Sequence, residues 1–173
     1  FAPKYLENKL KFFPFIKEVV TFGKDFDFVS AFICIDIEAV GNWAERQNLA
    51  YSGYTDLASR DEIYDLVYEC VESVNVDLAR DDKLRGSQIL RFLILHKELD
   101  ADDGELTRTR KVRRNIVAER YQPLIDALQD ESQKQCSIET EMTFEDGRKG
   151  TVEADLKIMN VQKISTPVHA KAA

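Results

Sequence analysis

Between Phe28 and Ile35 the chain is apolar on both sides of an extended run, with Val29, Ala31, Ile33 and Ile35 alternating against Phe32 and Cys34. Successive side chains of a strand point to opposite faces, so such a run fits a strand covered above and below. The covering layers are also written in the chain. Ile63, Leu66, Val67, Cys70, Val71, Val74 and Leu78 recur at the helical period and make one apolar stripe. Ser59 followed by Glu62 reads as a capping box that opens this helix. The stripe is core material, not a cofactor box.

Other elements follow from punctuation. Pro3 suits the first turn of a helix reaching Lys11, and Pro14 stops it. Ile16 to Phe22 is β-rich, and the spacer Gly23-Lys24-Asp25-Phe26-Asp27 predicts an antiparallel hairpin with the apolar run. Ile37 to Gln47 reads as a helix carrying Trp43, and Asn48 to Ala58 as a polar-aromatic connection. After the polar break Asp81–Gly86, Ile89 to Leu95 predicts a strand. Ile116, Val117, Tyr121, Leu124, Ile125 and Leu128 predict an amphipathic helix bent or restarted at Pro123. Cys136 to Phe144 and Val152 to Ile158 alternate apolar with polar around Glu145-Asp146-Gly147-Arg148, which predicts a hairpin. An isolated hairpin is marginal in water, so its apolar face needs the main domain or a neighbouring subunit.

A length of 173 residues suits one domain with an appendage, and 44% hydrophobic against 32% charged residues suits a soluble one. No stretch approaches a membrane-spanning run, and none looks like a signal peptide. A net charge of −7 opposes nucleic-acid binding at long range, although basic residues crowd between Arg108 and Arg120. Cys34, Cys70 and Cys136 are an odd, scattered set, read as core hydrophobes in a reducing cytoplasm rather than a disulfide framework or zinc site. His96 and His169 lack metal-ligand company, so no metal site is expected, and His96 reads as structural. No Walker loop, GxGxxG or Gly-x-Ser-x-Gly elbow occurs.

The chemistry-bearing stretch is Gly104-Glu105-Leu106-Thr107-Arg108-Thr109-Arg110-Lys111-Val112-Arg113-Arg114. It sets one lysine among hydroxyls and guanidiniums, after an acidic Asp100–Gly104 turn and before a helix. A flexible ammonium on such a loop suits brief contact with phosphate charge. By itself the segment also fits a solvated basic loop capping a helix, with Arg108 and Arg110 paired to the acidic turn.

The segment resembles the lysine motif of adenylate-forming enzymes, above all the C-terminal domain of bacterial long-chain fatty acid–CoA ligases, where Leu-Thr-x-Thr-x-Lys-x-(Lys/Arg)-Arg recurs. Phe1–Val20, with Leu6-Glu7-Asn8 and Pro14-Phe15-Ile16, looks like the helix and strand entry after the interdomain hinge of that family. Ala39–Ala44 and Arg91–Leu95 add to the likeness, which spans Phe1 to Leu128. Phe13 stands where serine is frequent, and Arg108 where proline is common.

The resemblance implies an α+β fold: a small, mostly antiparallel sheet flanked by helices, with an added C-terminal β-hairpin. Residues 1–131 would be the lobe with the lysine loop, 132–161 the hairpin, and 162–173 a disordered tail. It implies an ATP-dependent acid–thiol ligase whose full form makes acyl-AMP and then acyl-CoA, using ATP, Mg2+ and coenzyme A. This chain would be an inactive fragment, with the hinge upstream of Phe1. Lys111 would be catalytic, and Thr107 and Thr109 would meet ATP phosphates. The implied partners are an N-terminal adenylation domain, against which the lobe rotates between half-reactions, and a fatty acid. They leave room for homo-oligomers and for peripheral membrane association of the full enzyme. A different reading is a non-catalytic binding or assembly module that uses 108–120 or the terminal hairpin.

Overall fold

The computed structural model describes residues 2–24, 26–144 and 146–165. A helix α1 (Pro3–Lys11) leads into strands β1 (Ile16–Phe22) and β2 (Val29–Ile35), paired antiparallel. Three helices follow: α2 (Ile37–Arg46), α3 (Tyr54–Ser59) and α4 (Asp61–Ala79). A 3-10 turn at Arg85–Ser87 then delivers β3 (Ile89–Ile94), which lies parallel to β2. Parallel neighbours need a long crossover, and α2 to α4 supply it. Helices α5 (Arg114–Arg120) and α6 (Gln122–Gln129) precede the hairpin of β4 (Gln135–Thr143) and β5 (Lys149–Lys157). A two-residue strand β6 (Met159–Asn160) closes the sheet, whose order is β1-β2-β3-β6. Two of its three pairings are antiparallel, so the fold is α+β as expected.

β2 is buried along its whole length, and its two faces feed different cores. Val29, Ala31, Ile33 and Ile35 meet the α4 stripe with Leu6 and Leu10 of α1. Phe32 and Cys34 meet Leu93, Tyr121, Leu124, Ile125 and Leu128 on the opposite side. Full burial of such a side chain stabilises by about 1.5–3 kcal/mol, so these two layers dominate the fold.

The hairpin lays its apolar face on the second core. Ile138, Leu156 and Ile158 are buried with α6 residues, and the Tyr64 hydroxyl of α4 donates to the Lys157 carbonyl at 2.9 Å. Arg91 in β3, 2% exposed, points under α6 and donates to the carbonyls of Ala127, Leu128 and Asp130 at 3.1, 2.8 and 2.6 Å. A cation there meets the unpaired carbonyls and negative end of the helix dipole.

Two expectations fail. The 48–58 connection contains α3, entered through Gly53 at φ 103. The capping box does not form, because Ser59 ends α3 and its hydroxyl donates to the Asp56 carbonyl at 2.7 Å. α4 starts at Asp61 with Arg60 as its cap, and Asp61 and Glu62 in the first turn offset the helix dipole instead. The helix break at Pro123 is a restart, with Tyr121 between α5 and α6. Residues 162–165 continue past β6, where the Ile164 amide donates to the Gln88 side chain at 2.8 Å. The rest of the expected tail, with His169, and Asp25 and Glu145 of the two turns, lie outside the described residues.

Candidate functional site

Leu106 and Val112 form a lone antiparallel bridge, which pinches residues 107–111 into a tight projection. The Thr107 amide donates to the Lys111 carbonyl at 2.8 Å, and the Arg113 amide to the Glu105 carbonyl at 2.8 Å. Inside the projection the Lys111 amide donates to the Thr107 hydroxyl at 3.0 Å, and the hydroxyls of Thr107 and Thr109 lie 3.2 Å apart. Arg110 takes φ 64, a left-handed conformation that non-glycine residues rarely adopt. Thr107, Thr109 and Lys111 are therefore brought together, all exposed, with both threonines turned toward shaping the loop.

The base of the projection is held by charge out of water. Glu105 is fully buried and accepts from Lys97 Nζ at 2.5 Å, the Asp100 amide at 3.1 Å, Arg120 Nη1 at 3.1 Å and the Tyr121 hydroxyl. Lys97, 3% exposed, also meets Asp103 at 3.1 Å. Two cations and two carboxylates thus balance within the cluster, as buried charge must. Burial works to raise the Asp103 carboxyl, but the Lys97 hydrogen bond and charge outweigh it and hold it below the usual carboxylate range. Burial first, then the Glu105 charge, push the Tyr121 hydroxyl far above the ordinary phenol range, so it stays a donor.

The acidic turn is therefore engaged by Lys97 and Arg120, not by Arg108 and Arg110 as expected. Among the described residues neither arginine pairs with it. Asp103 points inward to Lys97 and to the Thr143 amide of β4, and Asp100 folds onto the Asp102 amide. The reason is burial, because a carboxylate inside takes the partner that comes inside with it.

A cleft of about 730 Å³ opens beside the projection, between the polar side of α1 and residues 110–116. Glu7 bridges its walls: it accepts from the Thr21 amide at 2.8 Å and hydroxyl at 2.9 Å, and it pairs with Arg114. Sequence reasoning missed Glu7, Lys97 and Glu105, since isolated charged residues are ordinarily solvated. Three tightly spaced acids at 100–103 with a fourth at 105 were the available signal.

His96 does not face this cleft. Its Nε2 shares a 3.0 Å hydrogen bond with Thr140 of the hairpin, and its Nδ1 is buried without a partner. Burial first, then the Lys97 charge, bring the imidazole down to about 4. The thiols are equally quiet: burial pushes Cys34 up to about 12 and Cys70 to about 11. Among the described residues no group of three or more His, Cys, Asp or Glu is arranged to hold a metal ion, and no helix is long and apolar enough to cross a membrane.

No family model matches the chain. A solved structure, the A-PCP didomain of carboxylic acid reductase from Segniliparus rugosus in complex with AMP, shares its fold with a TM-score of 0.51 at 17% identity. That match covers 73% of this chain and 15% of the other. Sequence similarity reaches further, with 33% identity over 128 residues to a ligase of the adenylate-forming class. Sequence and fold together match those of a C-terminal domain of adenylate-forming enzymes. The relative in question is the long-chain-fatty-acid–CoA ligase FadD15 of Mycobacterium tuberculosis, and the same figures hold for FadD15 of Mycobacterium bovis. The match takes in 73% of this chain, which spans about one-fifth of the length of these curated relatives.

Proposed function

We propose that this chain is the mobile lobe of a long-chain fatty acid–CoA ligase and that Lys111 is its catalytic ammonium. The observation that carries the reading is Lys111 itself: it is exposed on a bridged projection whose root is fixed by buried charge. The similarity to the FadD15 ligases supports the substrate class.

Adenylation brings a fatty acid carboxylate against the α-phosphorus of ATP, and magnesium enters with the nucleotide as part of that substrate. Two anions must approach while charge shifts toward pyrophosphate. An ammonium between their oxygens screens the repulsion and stabilises charge where the transition state develops it. A lysine stem reaches from a loop into a cleft built by another domain, whereas a guanidinium is bulkier and tied to fork geometry. Thr107 and Thr109 hold the projection in shape and turn hydroxyls toward phosphate when the lobe closes. After the lobe rotates away, the coenzyme A thiol attacks the acyl-AMP carbonyl, forming the thioester as AMP leaves.

Lys111→Ala in a full-length parent is expected to lose about 2–4 kcal/mol of transition-state stabilisation, read as ATP–pyrophosphate exchange. The chain alone is expected to show no exchange. Undiminished exchange in the variant would refute the assignment of Lys111.

A further inference from the structure

Between the end of β3 at Ile94 and the bridge at Leu106 the chain forms neither helix nor strand, yet this stretch leads into the lysine projection. Irregular backbone keeps a fixed course only where other elements hold it. The terminal hairpin supplies a hold near each end of the stretch. Thr140 of β4, 4% exposed, meets His96 at 3.0 Å. Further along the same strand the Thr143 amide donates to the Asp103 carboxylate at 2.9 Å. From Thr140 to Thr143 a strand advances about 10 Å, so one straight element pins two points of a winding one.

Asp103 passes the second hold on to the loop. Its carboxylate, 6% exposed, also meets Lys97 at 3.1 Å, and its carbonyl accepts from Arg120 Nη1 at 2.7 Å. Lys97 and Arg120 both continue to Glu105. From there the backbone enters the projection, and the Glu105 carbonyl takes the Arg113 amide at 2.8 Å. The route is continuous: β4 amide, Asp103 carboxylate, Lys97 ammonium, Glu105 carboxylate, and the foot of the loop that bears Lys111. A hydrogen bond from an amide to a carboxylate is roughly twice as strong as a neutral one. The hairpin is itself anchored separately, by Ile138, Leu156 and Ile158 in the core shared with α6. It can therefore serve as a fixed post.

We infer that the terminal hairpin braces the lysine projection, with Thr143 and Asp103 as positioning residues that set where Lys111 stands. Neither residue touches a reacting atom; both act through Glu105. The inference rests on the catalytic reading of Lys111 and adds to it an element outside the loop. Placement matters because an ammonium stabilises developing charge only at the right separation, and a displacement of about 1 Å can cost about 100-fold in rate. The brace serves only the half-reaction that uses Lys111. Adenylation depends on it, and thioester formation, with the lobe turned away, does not.

Thr143→Pro removes the donating amide, whereas Asp103→Ala removes its acceptor and leaves the hairpin sequence whole. In the chain itself, hydrogen exchange of amides 106–113 is expected to quicken about 10- to 100-fold in either variant, the range for losing a hydrogen bond to a charged group. The double variant is expected to be no looser than Asp103→Ala alone, as for two residues on one route. Thr143→Ser keeps the amide and is expected to match the wild type. In a full-length parent, Thr143→Pro is expected to lower kcat of ATP–pyrophosphate exchange about 10- to 100-fold with KM for ATP unchanged. Single-turnover transfer from preformed acyl-AMP to coenzyme A is expected to stay intact. Asp103→Ala carries the same test should proline unfold the hairpin.

Unchanged protection of amides 106–113 overturns the inference. So does an equal loss from both half-reactions, which marks a merely destabilised lobe, and so does additive loosening in the double variant. Failure of the catalytic reading looks different. Undiminished pyrophosphate exchange in Lys111→Ala, with loosened amides in Thr143→Pro, removes the catalytic role and leaves the brace. Lost pyrophosphate exchange in Lys111→Ala, with unmoved amides in Thr143→Pro, removes the brace and leaves the role.

Discussion

Glu105 is the residue on which the lysine projection stands. Its carboxylate takes Lys97, Arg120, the Tyr121 hydroxyl and the Asp100 amide, while its backbone carbonyl takes the Arg113 amide. Removing one partner of a buried ion cluster leaves the other uncompensated, which costs more than the pair contributes. Glu105→Gln is therefore expected to destabilise the protein by about 3 kcal/mol in urea denaturation, and to speed amide exchange across residues 106–113. A loss no larger than the ~0.5 kcal/mol of an exposed pair would show that the cluster does not bear on stability. His96 gives a second expectation at this scale. Its folded value near 4 lies below the unfolded value near 6.5, so the unfolded chain binds the proton first. Stability contributed by the neutral ring is present above the unfolded value and is lost as pH falls through that window, by up to about 1.4 kcal/mol per pH step. The buried Asp103 carboxylate fails only at lower pH, below its ordinary range. His96→Gln keeps a group able to bond Thr140 without titrating, so its denaturation midpoint is expected to stay flat between about pH 6.5 and 5, where the wild type already falls.

Among the elements, the terminal hairpin is woven into the domain. Ile138 and Leu156 are 7% and 5% exposed and share a core with Leu124 and Leu128 of α6. Thr140 meets His96, and the Thr143 amide meets Asp103 beside the lysine projection. Leu156→Ala is expected to cost about 2–4 kcal/mol and to lower one cooperative unfolding transition. A separate early transition, with the main one unmoved, would mark the hairpin as an independent appendage. The period-two alternation made this hairpin legible, and the 3.6 period did the same for α4. α3 was not legible. Its six residues carry no apolar stripe, and Gly53 and the Asp56 carboxylate, which accepts the Ser52 amide at 2.8 Å, set its start. Ser59 had the identity of a cap but lies one residue too early, inside the end of α3.

For the whole molecule, the two-sided apolar run at Val29–Ile35 already stated that layers lie above and below it. It did not state that β3 would lie parallel beside it, because partner and direction depend on where the long crossover through α2, α3 and α4 returns. The candidate site divides the same way. Lys111, Thr107 and Thr109 were legible from a short string of residues, whereas the cleft wall from α1 and the buried root at Lys97 and Glu105 arise only when distant segments meet. The parallel pairing also orders events during synthesis. When β2 leaves the ribosome, α1 and β1 are already made, and Ile89 is not. Full cover for its two greasy sides must wait for α4, β3 and α6 to emerge, so the nascent chain is expected to need shielding from aggregation until α6 is translated.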